Sequence, residues 1–200
     1  MVETIRFIQG NLPHWLVVDR TYFVTMRLNG TLPRSVVSEL VAERKVLIDA
    51  GCHDDERWLA LHRAQFLKIE GVLDAVSKGD DFCLTEPEVA KVLLKSFGWL
   101  ADDAGWQIHA ATIMPTHVHM VMRNNAGRSG ELINDIEKFK RFTGRDANRI
   151  LKRSGRFWAR EDFDHWCRTP EKVTSAVRYV RENPVKAGLV SQWQDWPWTV

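Results

Sequence analysis

Two short blocks of this sequence hold the residue types best suited to chemistry. The first is Met114-Pro115-Thr116-His117-Val118-His119-Met120-Val121-Met122. Side chains alternate along a strand, so His117 and His119 project from one face, and two adjacent imidazoles can hold one divalent cation. The competing reading is a pair of surface or hydrogen-bonded histidines, the commoner fate of an isolated His-x-His. The second block is Arg178-Tyr179-Val180-Arg181-Glu182-Asn183-Pro184. A spacing of four residues puts Tyr179 and Asn183 on one helix face, a phenol beside an amide oxygen able to ligate a hard cation. Against that stand a tyrosine that only packs and an Asn-Pro that only ends a helix. The chain has 2 Tyr beside 9 Trp and 9 Phe, so phenol chemistry has few addresses. Tyr22 lies in a strand pattern and is assigned to packing, which leaves Tyr179 as the candidate for covalent work.

Charge adds a third feature. The net charge of +2 says little about partners, but its distribution is uneven. Lys138, Lys140, Arg141, Arg145, Arg149, Lys152, Arg153, Arg156 and Arg160 follow one another with Asp146 as the only acid between them. Such a run reads either as a phosphate-contacting surface or as a solvated helix face. The interleaved Phe139, Phe142, Phe157 and Trp158 could stack on unpaired bases or fill the core. His53, His62 and His109 have no partner at metal-ligand spacing. Asp164-His165 reads as a polar network or a site-edge pair.

The elements that must position these residues follow from periodicity. A chain of 200 residues, 44% hydrophobic, suits one core and one domain. After an irregular opening, Tyr22 to Leu28 reads as a first strand stopped by Asn29-Gly30. Helical spacing from Val36 to Val76, broken at Gly51, predicts two helices. Thr85-Glu86-Pro87-Glu88 predicts a capped helix running to Gly105. Trp106–Met114 and His117–Arg123 predict an antiparallel pair. Helices are expected from there to the end, one opening near Ser129 and one from about Pro170 to Asn183-Pro184, with Trp193, Trp196 and Trp198 in a packed tail. The class is α+β. No run reaches the roughly eighteen apolar residues of a membrane span. No export signal is read, and Cys52, Cys83 and Cys167 lack the spacing of a disulfide framework or thiolate zinc site, so a reducing cytoplasm is expected.

Taken in order, several blocks resemble the single-tyrosine HUH transposases, in particular the branch associated with repetitive extragenic palindromes (REP). They are Tyr22-Phe23-Val24-Thr25, the His117/His119 block, Phe157-Trp158-Ala159-Arg160, Asp164-His165, Tyr179 through Asn183-Pro184-Val185-Lys186-Ala187-Gly188-Leu189-Val190, and Asp195-Trp196-Pro197-Trp198. The resemblance implies His117 and His119 as metal ligands, Asn183 as a further polar ligand, Mg²⁺ or Mn²⁺ as the ion, and Tyr179 as the attacking tyrosine. It implies a ferredoxin-like or RRM-like antiparallel sheet with packed helices, the histidines on a central strand and the tyrosine on a helix beneath. It also implies nicking and rejoining of single-stranded, hairpin-flanking DNA through a 5′-phosphotyrosine, by a cytoplasmic, nucleoid-associated monomer or homodimer. The expected layout is a single HUH transposase-like domain over residues 1–200, with a helical insertion after the first strand at about residues 31–82. That insertion, and Trp166-Cys167 after Asp164-His165, depart from a minimal family member. Two other readings remain: a DNA-hairpin-binding protein without catalysis or with a domesticated role, and a metal-dependent phosphoesterase in which water attacks.

Overall fold

The computed structural model of the chain describes residues 4–9, 13–17, 20–52, 55–77, 83–124 and 132–200. Two strands, β1 (Thr4–Gln9) and β2 (Pro13–Val17), pair antiparallel ahead of β3 (Thr21–Arg27). The helices α1 (Arg34–Asp49), α2 (Asp55–Val76) and α3 (Pro87–Asp102) follow, then β4 (Trp106–Ile113) and β5 (His117–Asn124). The chain continues through α4 (Leu132–Ile150), β6 (Phe163–Cys167), α5 (Pro170–Lys186) and a short 3-10 turn at Trp193–Asp195.

The main sheet has strand order β4-β5-β3-β6, with every neighbouring pair antiparallel. Leaving aside the first hairpin, α1, α2 and α5, the chain reads β3-α3-β4-β5-α4-β6, with β3 and β5 at the centre. That is the ferredoxin-like βαββαβ pattern, with α1 and α2 inserted after β3. Strand alternation divides the core into two layers. Tyr22, Val24 and Met26 of β3 share a face with Val118, Met120 and Met122 of β5, and pack against Leu93, Phe97 and Leu100 of α3 and Ile136 and Phe139 of α4. Phe23 and Val121 lie on the opposite face with Ile69 and Leu73 of α2 and Val180 of α5. Each large apolar side chain buried this way contributes about 1.5–3 kcal/mol.

Local signals explain most element ends, and four differ from the sequence reading. The opening segment forms the β1–β2 hairpin. The stretch between the helices expected near Ser129 and from about Pro170 contains β6, a strand not expected there, whose Asp164 and His165 have little intrinsic strand preference. Pairing with β3 at Thr21↔Cys167 through Thr25↔Phe163 decides its conformation. The residue capping α3 is Glu86, without a side-chain cap bond, and Pro87 takes the first turn. Helix α5 opens as expected, with Thr169 accepting from the Lys172 amide and Pro170 in the first turn. It does not end at Asn183-Pro184: Pro184 lies in its last turn, and the helix stops before Gly188 at φ 71°. The expected start of α4 near Ser129 lies outside the described residues, as does His53.

The C-terminal segment runs along the outer edge of β4. Val200 and Ala111 exchange backbone hydrogen bonds of 2.8 Å, and Trp196 Nε1 donates to the Ile113 carbonyl at 3.0 Å. The tryptophan-rich tail thus covers a sheet edge that would otherwise offer unpaired backbone groups.

A candidate metal centre and its tyrosine

Because β5 is central and its odd positions face α2 and α5, His117 and His119 are 0% exposed. Their Nε2 atoms face each other at 3.0 Å. Each ring is held from behind: Thr116 Oγ1 lies 2.8 Å from His117 Nδ1 and Thr25 Oγ1 lies 2.8 Å from His119 Nδ1. With each Nδ1–H donating to its threonine, both Nε2 lone pairs point at one spot and repel unless a proton or a cation lies between them. Burial, reinforced by neighbouring His119, pushes the His117 imidazole down to about 3, so it is a neutral donor at neutral pH.

A carboxylate completes the cluster. Glu70 of α2 places Oε2 at 3.1 Å from His119 Nε2 and accepts a short hydrogen bond from the Tyr179 hydroxyl. Its other oxygen, Oε1, is buried without a hydrogen-bond partner. Burial acts to raise the Glu70 carboxyl, but His119, His117 and the Tyr179 hydrogen bond together hold the group below the usual carboxylate range. One donor atom from each of Glu70, His117 and His119 falls within 4.8 Å of the others. Donors about 2.1 Å from a shared ion and at right angles stand about 3 Å apart. The separations of 3.0 and 3.1 Å fit that requirement.

Tyr179 and Asn183 enter from α5. The Tyr179 ring is fixed edge-on or tilted against Phe23, Phe66 and His119, and Lys186 Nζ sits 4.0 Å from its centroid. Burial, followed by the Glu70 charge and hydrogen bond and by Asp74, pushes the phenol far above its ordinary value, with Asn183 opposing. In this arrangement the tyrosine is held protonated. Asn183 is 0% exposed beside His117 and Tyr179, yet neither atom of its amide makes a hydrogen bond of ordinary geometry. A buried amide normally finds partners, and this one, beside His117 and Tyr179, has both atoms unsatisfied.

The four residues singled out in the two sequence blocks therefore meet. The nine basic residues do not join them: α4 packs on the opposite face of the sheet, with Leu132, Ile136 and Phe139 against the Tyr22–Met26 layer. Several are already engaged, Lys140 with Asp162 at 2.8 Å, Lys138 with Asp135 at 3.0 Å, and Arg145 and Arg149 with Asp146. Arg153 covers the Phe157 ring. Arg141, Lys152, Arg156 and Arg160 are exposed and have no ion-pair partner among the described residues. Arg141, Arg145, Arg156 and Arg160 border an open cleft of about 560 Å³ between α4 and the segment after it. Of the four aromatics in this stretch, Phe139, Phe157 and Trp158 are buried, and Phe142 alone is 42% exposed.

No protein-family model matches the sequence. A curated protein of Haemophilus influenzae, named as a candidate REP-associated tyrosine transposase, is 26% identical over 98 residues, covering 45% of this chain and 56% of that protein. The chain thus spans little more than half of that relative's length. A solved structure described as a REP-associated tyrosine transposase bound to a REP hairpin aligns with a TM-score of 0.49 at 14% identity, covering 96% of this chain and 82% of the other. The chain is similar to REP-associated tyrosine transposases.

His117, His119, Tyr179 and Asn183 are the residues that the two sequence blocks offer, and Glu70 is not among them. Its signal was available in weak form: on α2 it lies on the apolar stripe of Phe66, Ile69 and Leu73, where an acid has no reason to be unless it is paired. Thr25 and Thr116 were likewise given no role. Their part is testable. Thr116→Val keeps the side-chain shape, removes the oxygen that orients His117, and strands the Ser77 hydroxyl bonded to it at 2.9 Å. Loss of such an outer partner lowers metal affinity by about 10–100-fold. Calorimetry with Mn²⁺ should show that drop for Thr116→Val and a near-normal affinity for Thr116→Ser; equal affinities for the two would mean the hydroxyl does not orient the ligand.

Proposed function

We propose that this chain is a metal-dependent tyrosine transposase that nicks and rejoins single-stranded DNA flanking a hairpin, with residues 1–200 acting as one HUH transposase-like domain. The observation that carries this reading is the convergence of the Tyr179 hydroxyl with the His117 and His119 ring nitrogens in one buried cluster. His117, His119 and Asn183 would hold Mg²⁺ or Mn²⁺. The bound cation would polarise the scissile phosphate and offset charge in the transition state. Tyr179 supplies the nucleophilic oxygen: its bond to phosphorus forms as the P–O3′ bond breaks, the phenol gives up a proton and the departing O3′ gains one. The 5′-phosphate stays on the tyrosine, so a second 3′-hydroxyl can reverse the step and join strands without a nucleotide cofactor. Since the phenol is shielded and hydrogen-bonded to Glu70 in this arrangement, it reacts only after that hydrogen bond loosens to admit a phosphate.

The test is incubation with Mn²⁺ or Mg²⁺ and a library of hairpin oligonucleotides with single-stranded flanks, followed by a denaturing gel and mass spectrometry. A covalent adduct on Tyr179 supports the transferase. Nicking without an adduct points to a phosphoesterase using water, and tight binding without chemistry to a hairpin-binding module.

DNA would be gripped by Lys138, Lys140, Arg141, Arg145, Arg149, Lys152, Arg153, Arg156 and Arg160, and the structure's ion pairs divide their expected contributions. Replacing Arg141, Arg156 or Arg160 by glutamine should weaken hairpin binding and lower the salt slope by about one for each phosphate no longer neutralised. Lys140→Gln should mainly lower thermal stability, because Lys140 is spent on Asp162. Equal salt slopes for all four variants and the parent protein would remove this surface from the DNA interface.

A further inference from the structure

Neither block singled out in the sequence contains Glu70, and it comes from a helix outside the βαββαβ core. We infer that Glu70 is a third protein ligand of the metal, so that the ion ties the α1–α2 insertion to the sheet; the inference rests on the metal-dependent reading above.

Three observations support it. The separation of 3.1 Å between Glu70 Oε2 and His119 Nε2 is that of adjacent donors about a common ion, and it matches the 3.0 Å between the two histidines. The Glu70 side chain is 6% exposed, yet Oε1 has no hydrogen-bond partner. A buried carboxylate oxygen with nothing to accept from is costly unless a cation serves it. The third observation is what surrounds it: His117, His119 and Asn183 carry no carboxylate, so Glu70 is the acidic side chain of the set and the one able to offset the charge of a divalent ion. Two imidazoles and a carboxylate form a mixed nitrogen and oxygen set, suited to Mn²⁺ and other first-row ions more than to Mg²⁺, which prefers oxygen throughout.

Because α2 also buries Phe66, Ile69 and Leu73 against the sheet, ligation through Glu70 would fasten the whole helix. Metal should therefore alter the behaviour of a helix whose other contact with the site is the packing of Phe66 on Tyr179 and the charge of Asp74 near it. The short bond from Tyr179 to the same carboxylate links the nucleophile to the ligand, so the two functions of the site share one oxygen.

The experiment compares Mn²⁺ binding by calorimetry and by loss of the free-ion paramagnetic resonance signal in the parent protein and in Glu70→Gln, which keeps an oxygen for Tyr179. The expected result is affinity at least about tenfold weaker in Glu70→Gln. Hydrogen exchange on the unaltered protein supplies a readout independent of any variant: Mn²⁺ should slow exchange across α2. Affinity within threefold of the parent, or α2 amides unmoved by saturating Mn²⁺, overturns the role of Glu70 while leaving the histidine site standing. A parent protein that binds no Mn²⁺ at all defeats the metal-dependent reading together with this one.

Discussion

Tyr179→Phe should leave a folded protein that still binds Mn²⁺ and hairpin DNA but forms no covalent adduct. The substitution removes one oxygen and keeps the ring, whose packing against Phe23, Phe66 and His119 holds α5 to the sheet. The chemical consequence is complete, because no other phenol is near: Tyr22 points into the opposite layer of the core. By analogy with nucleophile deletions in other enzymes, the rate should fall by roughly four to six orders of magnitude. The structural consequence is smaller. Glu70 loses its hydrogen-bond donor while buried, which costs about 1–3 kcal/mol, a drop of roughly 2–12 °C in melting temperature for a domain of this size. Added Mn²⁺ should recover part of it by binding the folded state. Adduct formation by the Tyr179→Phe protein, mapped by mass spectrometry to any other residue, would take the nucleophile's role from Tyr179.

His117→Ala and His119→Ala should each abolish adduct formation by a different route, loss of the cation with the nucleophile intact. Removing a direct ligand exceeds the cost of removing its outer partner, so Mn²⁺ affinity should fall by more than about 100-fold. Each change also opens a void in a fully buried layer and leaves a threonine hydroxyl, Thr116 or Thr25, without its ring partner. His119→Ala should be the more damaging, because it also removes the group beside Glu70 Oε2. A chelator provides the internal check. It should lower the melting temperature of the metal-loaded parent protein and leave both variants unchanged. DNA binding should survive in both, since the basic cleft lies across the sheet from the histidines. A variant that lost Mn²⁺ yet kept forming adducts at the parental rate would show that the chemistry does not need the ion.

These expectations use residues that differ in how visible they were in the sequence. The facing of His117 and His119 follows from two-residue alternation, and that of Tyr179 and Asn183 from the helical repeat; both are local and survive any choice of tertiary partner. The βαββαβ elements were largely legible for the same reason, through Pro87 and Pro170 at helix starts and the β-rich runs on either side of Pro115-Thr116. Strand β6 was not, because Phe163-Asp164-His165-Trp166-Cys167 has no alternating pattern and becomes a strand only by pairing with β3. The basic run was visible as composition, but which of its members are free depended on acids that fold against them, such as Asp162 against Lys140.

By itself the sequence determined which residues could share a face, because periodicity along a helix or strand is a property of neighbouring backbone angles. The tertiary structure decided which faces meet. It brought Glu70 to Tyr179 across 109 residues of chain, set both beneath His119, and put the basic helix on the far side of the sheet. Juxtapositions of that kind arise from the packing of whole apolar layers, and no local pattern of residues encodes them.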